Sequence, residues 1–399
     1  MNVVAKNGLK PGELVERVRE LHPLIKKHAA GGETDRRVAD DVIFTMTKAG
    51  LFKLCNSRRY GGHETSTRDM LDVMAAIAEA DGGTAWVSNI YNGIQWICGL
   101  FPQAAQDDIF GADPEARVAG VLTPSAEARR VDGGIRVSGK WHYCSGVPHA
   151  TWVLVGTPEI IENGEKVLDQ SLVLIPAADY TVEDTWFVTG MKSTGSNTVV
   201  ASDVFVPSHR ILSVPAAIDG KPATEHLASE PLFRSAFIAF LSVILVGPQL
   251  GLGRAALQYV RERASKKGIT YTVFEKQSSS VAFQLQIADA AMAIDTAHLH
   301  AYRAANDIDT AALKGEYPDM LTRIRCRADT GLAAEKITAA IDKLLWASGS
   351  GAFAEASVLQ RYWRDSSIAA RHGVVLPAIG YELYGKALLG VDEFITPLV

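Results

Sequence analysis

Apolar residues recur three and four positions apart from Pro11 to about Phe110, in ELVERVRELHPLIKKH and again in RRVADDVIFTMTKAGLF, a spacing that predicts amphipathic helices. Thr34 before Arg37, and Thr65 with Ser66 before Arg68 and Asp69, stand where N-caps belong, and Gly50 and the Gly61–Gly62 pair serve as stops. A further helix is expected from Thr84 to Leu100, carrying Trp86, Asn89, Tyr91 and Trp96. Near Arg117 the texture changes to short Val- and Ile-rich runs (RVAGVLTP, GIRVSGKWHY, TWVLVGT, SLVLIPA, TVVASDVFV), separated by Asp-Gly-Gly at 132 and Glu-Asn-Gly at 162. These are hairpin signals, and the stretch reads as an antiparallel β unit of about a hundred residues closed by Pro207. From about Leu232 the pattern is helical again, in long alanine-rich segments at 281–306 and 322–347 that read as a four-helix bundle. The boundaries expected are 1–116, helical; 117–212, β; and 213–399, helical.

Composition narrows the possibilities. With 47% hydrophobic and 21% charged residues the chain is an ordinary globular sequence, so disorder is not the default. The formal charge is −5 with Lys and Arg scattered, which argues against nucleic acid as a partner. The longest apolar run, AFIAFLSVILV at 236–246, is shorter than the roughly 20 residues that span a bilayer and reads as a buried helix, with no membrane partner. MNVVAKNGLKPGELVERVRELH lacks the apolar core of a signal peptide, so a cytoplasmic protein is expected. Cys55, Cys98, Cys144 and Cys326 form no CxxC pair and no HExxH occurs, so reduced thiols and no metal site are expected.

Glycine clusters give no dinucleotide motif. Gly247, Gly251 and Gly253 have the wrong spacing and follow a helix-like run, so a helix-packing role is expected. Two glycine-bounded strand segments, GKWHYCSG (139–146) and TWFVTGMKSTGSN (185–197), stand out. The first ends on Tyr143, Ser145 and Gly146, an aromatic face, a hydroxyl and an unhindered N–H; the second offers Trp186, Thr194, Gly195 and Ser196. Taken alone these are ordinary strand-end residues.

Together, in this placement, the two segments resemble the middle domain of the acyl-CoA dehydrogenase superfamily, and within it the oxygenase components of two-component flavin monooxygenases. The resemblance implies an α+β fold: an N-terminal helical domain, a middle antiparallel β domain and a C-terminal four-helix bundle. It implies that Tyr143, Ser145, Gly146, Trp186, Thr194 and Ser196 hold a flavin ring, with Ser145 beside its N5 and C4a edge. Cys144 is expected to pack, and His149 to help position the first segment. The turn at Gly349 and Gly351, and an arginine, would bind the flavin of a neighbouring subunit. The dehydrogenases follow that arginine with Phe-Gly, which this chain lacks; Arg263, Arg361 and Arg364 remain candidates, and FAD versus FMN stays open.

His372, in RDSSIAARHGVV, matches a histidine that faces the substrate pocket in these oxygenases. The resemblance makes it a base with a pKa near the operating pH, acting with Ser145 behind a substrate wall of Trp86, Tyr91 and Trp96. The chemistry implied takes reduced flavin (FADH2 or FMNH2) from a separate NAD(P)H-dependent flavin reductase and O2 as co-substrate. It proceeds through a C4a-hydroperoxide to hydroxylate a phenolic or indolic small molecule. Alternatives are an N- or S-oxygenating relative, or an acyl-CoA dehydrogenase, whose catalytic acid is absent from the 370s loop, leaving Glu262 or Glu275. A helical scaffold protein is the third, against which the intact flavin segments count. The apolar surplus of the bundle, and the family, imply a homotetramer.

Overall fold

The computed structural model describes residues 11–399. Residues 1–10, part of the leader reading above, lie outside the described residues. The N-terminal helices are α1 (Pro11–Asp35), α2 (Asp40–Lys48), α3 (Thr67–Ala78), α4 (Gly82–Cys98) and α5 (Gln103–Gln106). Ser66 caps α3 by accepting from the Asp69 N–H, as its position in the sequence predicts. Thr34 does not cap: α1 runs on to Asp35, and the Thr34 hydroxyl bonds back to the Ala30 carbonyl one turn earlier. Helix α4 starts two residues before the expected Thr84, because Asp81 accepts from both the Thr84 N–H and its hydroxyl at 2.8 Å.

The strands follow as β1 (Val118–Val121), β2 (Ala126–Val131), β3 (Gly134–Cys144), β4 (Trp152–Thr157), β5 (Ile160–Glu162), β6 (Glu165–Leu168), β7 (Ser171–Pro176), β8 (Thr181–Glu183), β9 (Asn197–Pro207) and β10 (Ile211–Ser213). They form two four-stranded sheets, ordered β1-β4-β7-β10 and β2-β3-β9-β8, with β5–β6 as a separate hairpin. One pairing departs from the antiparallel expectation: β1 runs parallel to β4, with Val118 opposite Trp152. The chain leaves the first sheet after β1, builds the β2–β3 hairpin in the second, and returns beside β1 in the same direction.

The remaining helices are α6 (Val214–Ile218), α7 (Phe237–Ile244), α8 (Gly247–Arg263), α9 (Val281–Lys314), α10 (Met320–Ser348), α11 (Val358–Ala369) and α12 (Pro377–Leu388). Helix α10 is the centre of the bundle, packing on α8, α9, α11 and α12. The stretch Phe237–Arg263 is long and apolar enough to cross a bilayer by composition, but 89% of its apolar window is buried inside the protein.

The three glycines of α8 act in packing. A Cβ on Gly251 would overlap the Ala75 carbonyl of α3, one on Gly247 would stand 2.9 Å from Met74 Cβ, and one on Gly253 2.7 Å from Ile337 of α10. Gly251→Ala is therefore expected to destabilise. The about 1 kcal/mol of helix propensity it gains is outweighed by an overpacking cost at the upper end of about 1–3 kcal/mol, read as a lower midpoint in urea unfolding.

Candidate active site

The two predicted segments meet. The β3–β9 ladder breaks register between Trp141 and Cys144, and the chain turns out of the sheet through Tyr143 (φ 67°) and Gly146 (φ 79°). Tyr143 is thrown outward, 73% exposed, while Cys144 is fully buried and its thiol is pushed up to about 12 by desolvation, in keeping with a packing role. Gly146 does not offer a free N–H: it donates to the Thr194 carbonyl at 2.8 Å, stitching the first segment to the second. Its own carbonyl accepts from the Tyr91 hydroxyl. Tyr143 and Trp186 stand edge to face, 5.9 Å apart at 90°.

A line of hydroxyls joins the segments, and its direction can be assigned. Thr194 Oγ1 donates its one hydrogen to the Met191 carbonyl at 2.8 Å. At the 2.6 Å contact between Thr194 and Ser196 the hydrogen therefore comes from Ser196. At the 2.8 Å contact between Ser196 and Ser145 it then comes from Ser145. Ser145 accepts from Trp86 Nε1–H at 3.1 Å, so the chain runs one way from Trp86 to Met191. Trp186 Nε1–H ends on the same Met191 carbonyl at 3.0 Å. Ser145 must break its bond to Ser196 to donate to anything else.

Trp86 also reaches His372, with ring centroids 5.8 Å apart. His372 is an exposed residue, yet the protein mass around the ring lowers its pKa to about 4 by desolvation. This departs from the pKa near the operating pH expected from sequence. The imidazole is neutral at pH 7, and the Val374 N–H donates to its Nδ1 at 3.3 Å, which leaves the proton on Nε2. His372 is thus set to donate a hydrogen bond to an oxygen.

The other predicted residues pack behind the two segments or lie further out. Tyr91 and Trp96 are fully enclosed: Tyr91 packs on Phe52, and Trp96 packs on Phe237 and Phe240 and donates to the Leu232 carbonyl at 3.0 Å. Arg263, exposed at the end of α8, stacks on Tyr259. Gly349 and Gly351 follow α10, beside the α8–α9 connection, where Lys267 donates to the Ser348 carbonyl at 2.6 Å. Glu262 and Glu275 are exposed. His149 Nε2–H donates to the Val38 carbonyl at 2.8 Å, tying the turn after Gly146 to the α1–α2 link, and burial lowers its pKa to about 4. Among the described residues no group of three or more His, Cys, Asp or Glu could hold a metal ion.

The sequence reading passes over Asp365 and names Asn89 only as a residue carried by α4. Asp365 of α11 is buried and accepts from the Met191 N–H at 2.6 Å; burial, and then neighbouring Asp81, raise its pKa to about 7. The available signal is its position: with Leu359, Tyr362, Ser366 and Ala369 it falls on the buried face of α11. Asn89, three residues after Trp86 on α4, buries both amide atoms with no hydrogen-bond partner.

The family "Acyl-CoA dehydrogenase, C-terminal domain" matches residues 243–377. The oxygenase subunit HsaA of a flavin-dependent monooxygenase from Rhodococcus jostii is 32% identical over 377 residues, covering 94% of this chain and 98% of that protein. The chain belongs to the acyl-CoA dehydrogenase superfamily, among the flavin-dependent monooxygenase oxygenase subunits. The oxygenase component of an FADH2-dependent resorcinol hydroxylase from a Rhizobium species is 29% identical to it, over 95% of this chain and 94% of that one. The solved structure of XiaF from Streptomyces, in complex with FADH2 and glycerol, superposes with a TM-score of 0.91 at 38% identity, covering 97% of each chain.

The residues of this oxygenase fit a flavin. Tyr143 and Trp186 present aromatic surface for a planar ring, and Ser145, Ser196 and Thr194 line up hydroxyls for its polar edge. Gly146 and Gly195 supply the close backbone turns, where a Cβ would stand 2.8 Å from the Tyr91 ring and 2.7 Å from Pro148.

Proposed function

We propose that this chain hydroxylates a phenolic or indolic small molecule, taking reduced flavin from a separate NAD(P)H-dependent reductase and oxygen from O2. The observation that carries the reading is Trp86, which donates to Ser145 on the flavin side and packs against His372 on the other. One side chain thus couples the cofactor wall to the group that would receive a phenolic oxygen. When bound, the reduced flavin activates O2 for transfer to the electron-rich carbon. The protein's share is to hold the ring, orient the substrate and keep water out.

Neutral His372, with its proton on Nε2, would donate to the substrate oxygen. The unpaired Asn89 amide, on the same face of α4 as Trp86, would take a second polar group of the substrate. A dehydrogenase would need a carboxylate base; Glu262 and Glu275 are exposed, and Asp365 is engaged by Met191. The long helix α9 exposes Leu285, Met292, Leu299 and Leu313 at multiples of seven residues, an apolar stripe suited to a second copy in a homotetramer. In that assembly Arg263, Gly349 and Gly351 would serve a neighbour's flavin phosphates. Four buried free cysteines suit a cytoplasmic setting.

The test feeds the protein FADH2 or FMNH2 from a separate reductase with NADH, under 18O2, and offers a panel of phenols and indoles. Product carrying one 18O is expected. Ser145→Ala should at least halve the product per flavin and release the balance as hydrogen peroxide, because it leaves Trp86 Nε1–H unpaired in a buried site, at about 1–3 kcal/mol. Bleaching of bound oxidised flavin by an acyl-CoA, with no oxygen incorporated into any phenol or indole, would overturn the reading.

A further inference from the structure

Met191 holds the second flavin segment together. Its carbonyl takes the Trp186 Nε1–H and the Thr194 hydroxyl, at 3.0 and 2.8 Å, and its φ of 51° lies in the left-handed region that a methionine adopts only when its surroundings enforce it. What enforces it comes from α11, more than 160 positions along the chain. Asp365 Oδ1 accepts the Met191 N–H at 2.6 Å, and Arg364 donates to the Thr189 carbonyl. Gly190 runs so close over α11 that a Cβ there would stand 2.5 Å from the Arg364 carbonyl.

We propose that Asp365 is a positioning residue of the flavin site, and that its protonation state sets how firmly Met191 presents Trp186 and Thr194 to the cofactor. This rests on the flavin reading of the site above. Charged groups face Asp365 from α1, the start of α4 and α11. Asp81, the buried cap of α4, repels it, and its own pKa is raised by burial despite Arg361 and its bonds from Thr84. Glu33 of α1 repels it too, but is paired with Arg364 at 2.8 Å. Arg361 Nε stands 4.0 Å from Asp81 Oδ1, an ion pair, but is buried without a hydrogen bond. Tyr362 of α11 is held protonated, its pKa pushed up to about 12 by burial. From α8 come only neutral groups: Leu252, against Gly82, and Gln249, which pairs with Ser366. Three carboxyl groups therefore share two guanidinium groups, and the one negative charge left uncompensated, together with burial, favours the acid form of Asp365 near neutrality.

The sign follows from the hydrogen bond. A carboxylate accepts an N–H more strongly than a neutral carboxyl does. Above the midpoint near pH 7 the Met191 turn is held firmly; as pH falls through it, Asp365 takes up a proton and the turn loosens. The difference between a charged and a neutral acceptor corresponds to roughly a fivefold to tenfold change in flavin affinity.

The experiment titrates the full-length protein with FADH2 and with FMNH2 under anaerobic conditions, from pH 5.5 to 8.5, reading quenching of tryptophan fluorescence. The flavin-free protein is scanned over the same range for its own fluorescence step. Wild type is expected to bind flavin roughly fivefold to tenfold more weakly on the acid side. Asp365→Asn keeps an acceptor for the Met191 N–H and should abolish the step in both readouts, whereas a titration belonging to the flavin would survive in it. Asp81→Asn, which keeps the cap but removes the repelling charge, should move the midpoint to lower pH. Flavin binding without a step, or a step that survives in Asp365→Asn, overturns this inference while leaving the oxygenase reading intact. No binding at any pH overturns both.

Discussion

His372→Ala is expected to lower hydroxylated product by roughly a hundredfold, the usual effect of removing one well-placed donor from a reaction centre. Reduced-flavin affinity should stay within about twofold of wild type, because the contacts of His372 are to the Trp86 ring and the Val374 N–H and not to the two segments proposed to hold the flavin. The oxygen not delivered should leave as hydrogen peroxide. His372→Gln, which can place an amide N–H in the same direction, should recover part of the product. An Ala variant that hydroxylates normally would remove His372 from the chemistry. The pH behaviour separates a donor from a base. A base with a pKa near 7 would give a rate limb in that region; a ring with its pKa lowered to about 4 stays neutral above pH 5 and gives none. The same shift acts on stability. The unfolded chain binds a proton at His372 below about 6.5 that the folded protein refuses until about 4. Between those values stability falls as the pH falls, and His149, shifted the same way, adds to it.

The parts of this molecule that could be read from sequence are those whose cause is local. Long helices announce themselves by period, and Ser66 and Gly50 mark ends because capping and left-handed turns are decided within a few residues. The β1–β4 pairing was not readable as parallel, because strand direction is fixed by which sheet the intervening hairpin joins. Tyr91 and Trp96 illustrate the opposite error to Asp365. Aromatic residues on α4 suggest a pocket wall, yet Ile90 is the one α4 residue that is not buried, so Tyr91 and Trp96 go to packing. Asp365 looks like a solvated acid in a charged helix and becomes buried because the start of α4, α8 and the 186–196 segment all close over α11. Likewise the first of the two segments was legible as a glycine-bounded strand, whereas 185–196, read as a second strand, forms a loop and a short 3-10 turn at Lys192–Thr194 between β8 and β9; the one-way hydroxyl line between the segments depends on contacts across some fifty residues of chain.

Gly146→Ala is the substitution expected to damage the site most with the least change in chemistry. At φ 79° any side chain is strained, by about 1–2 kcal/mol, and the new Cβ would stand 2.8 Å from Tyr91 Cε1. Tyr91 cannot yield: it is fully buried, packed edge-on against Phe52 at 5.3 Å. The turn must move instead, and the bond that gives is the Gly146 N–H to the Thr194 carbonyl, which ties the first segment to the second. Flavin affinity should fall roughly a hundredfold, since strain contributes about 1–2 and overpacking about 1–3 kcal/mol, measured by the same anaerobic fluorescence titration. The fall in unfolding temperature should be modest, because the turn lies outside the β ladder and the helical bundle. Adding Tyr91→Leu to Gly146→Ala removes the ring contact but not the backbone strain, so affinity should return only in part. Full recovery would assign the effect to the contact alone, and wild-type affinity in Gly146→Ala would mean that the join between the two segments does not hold the flavin.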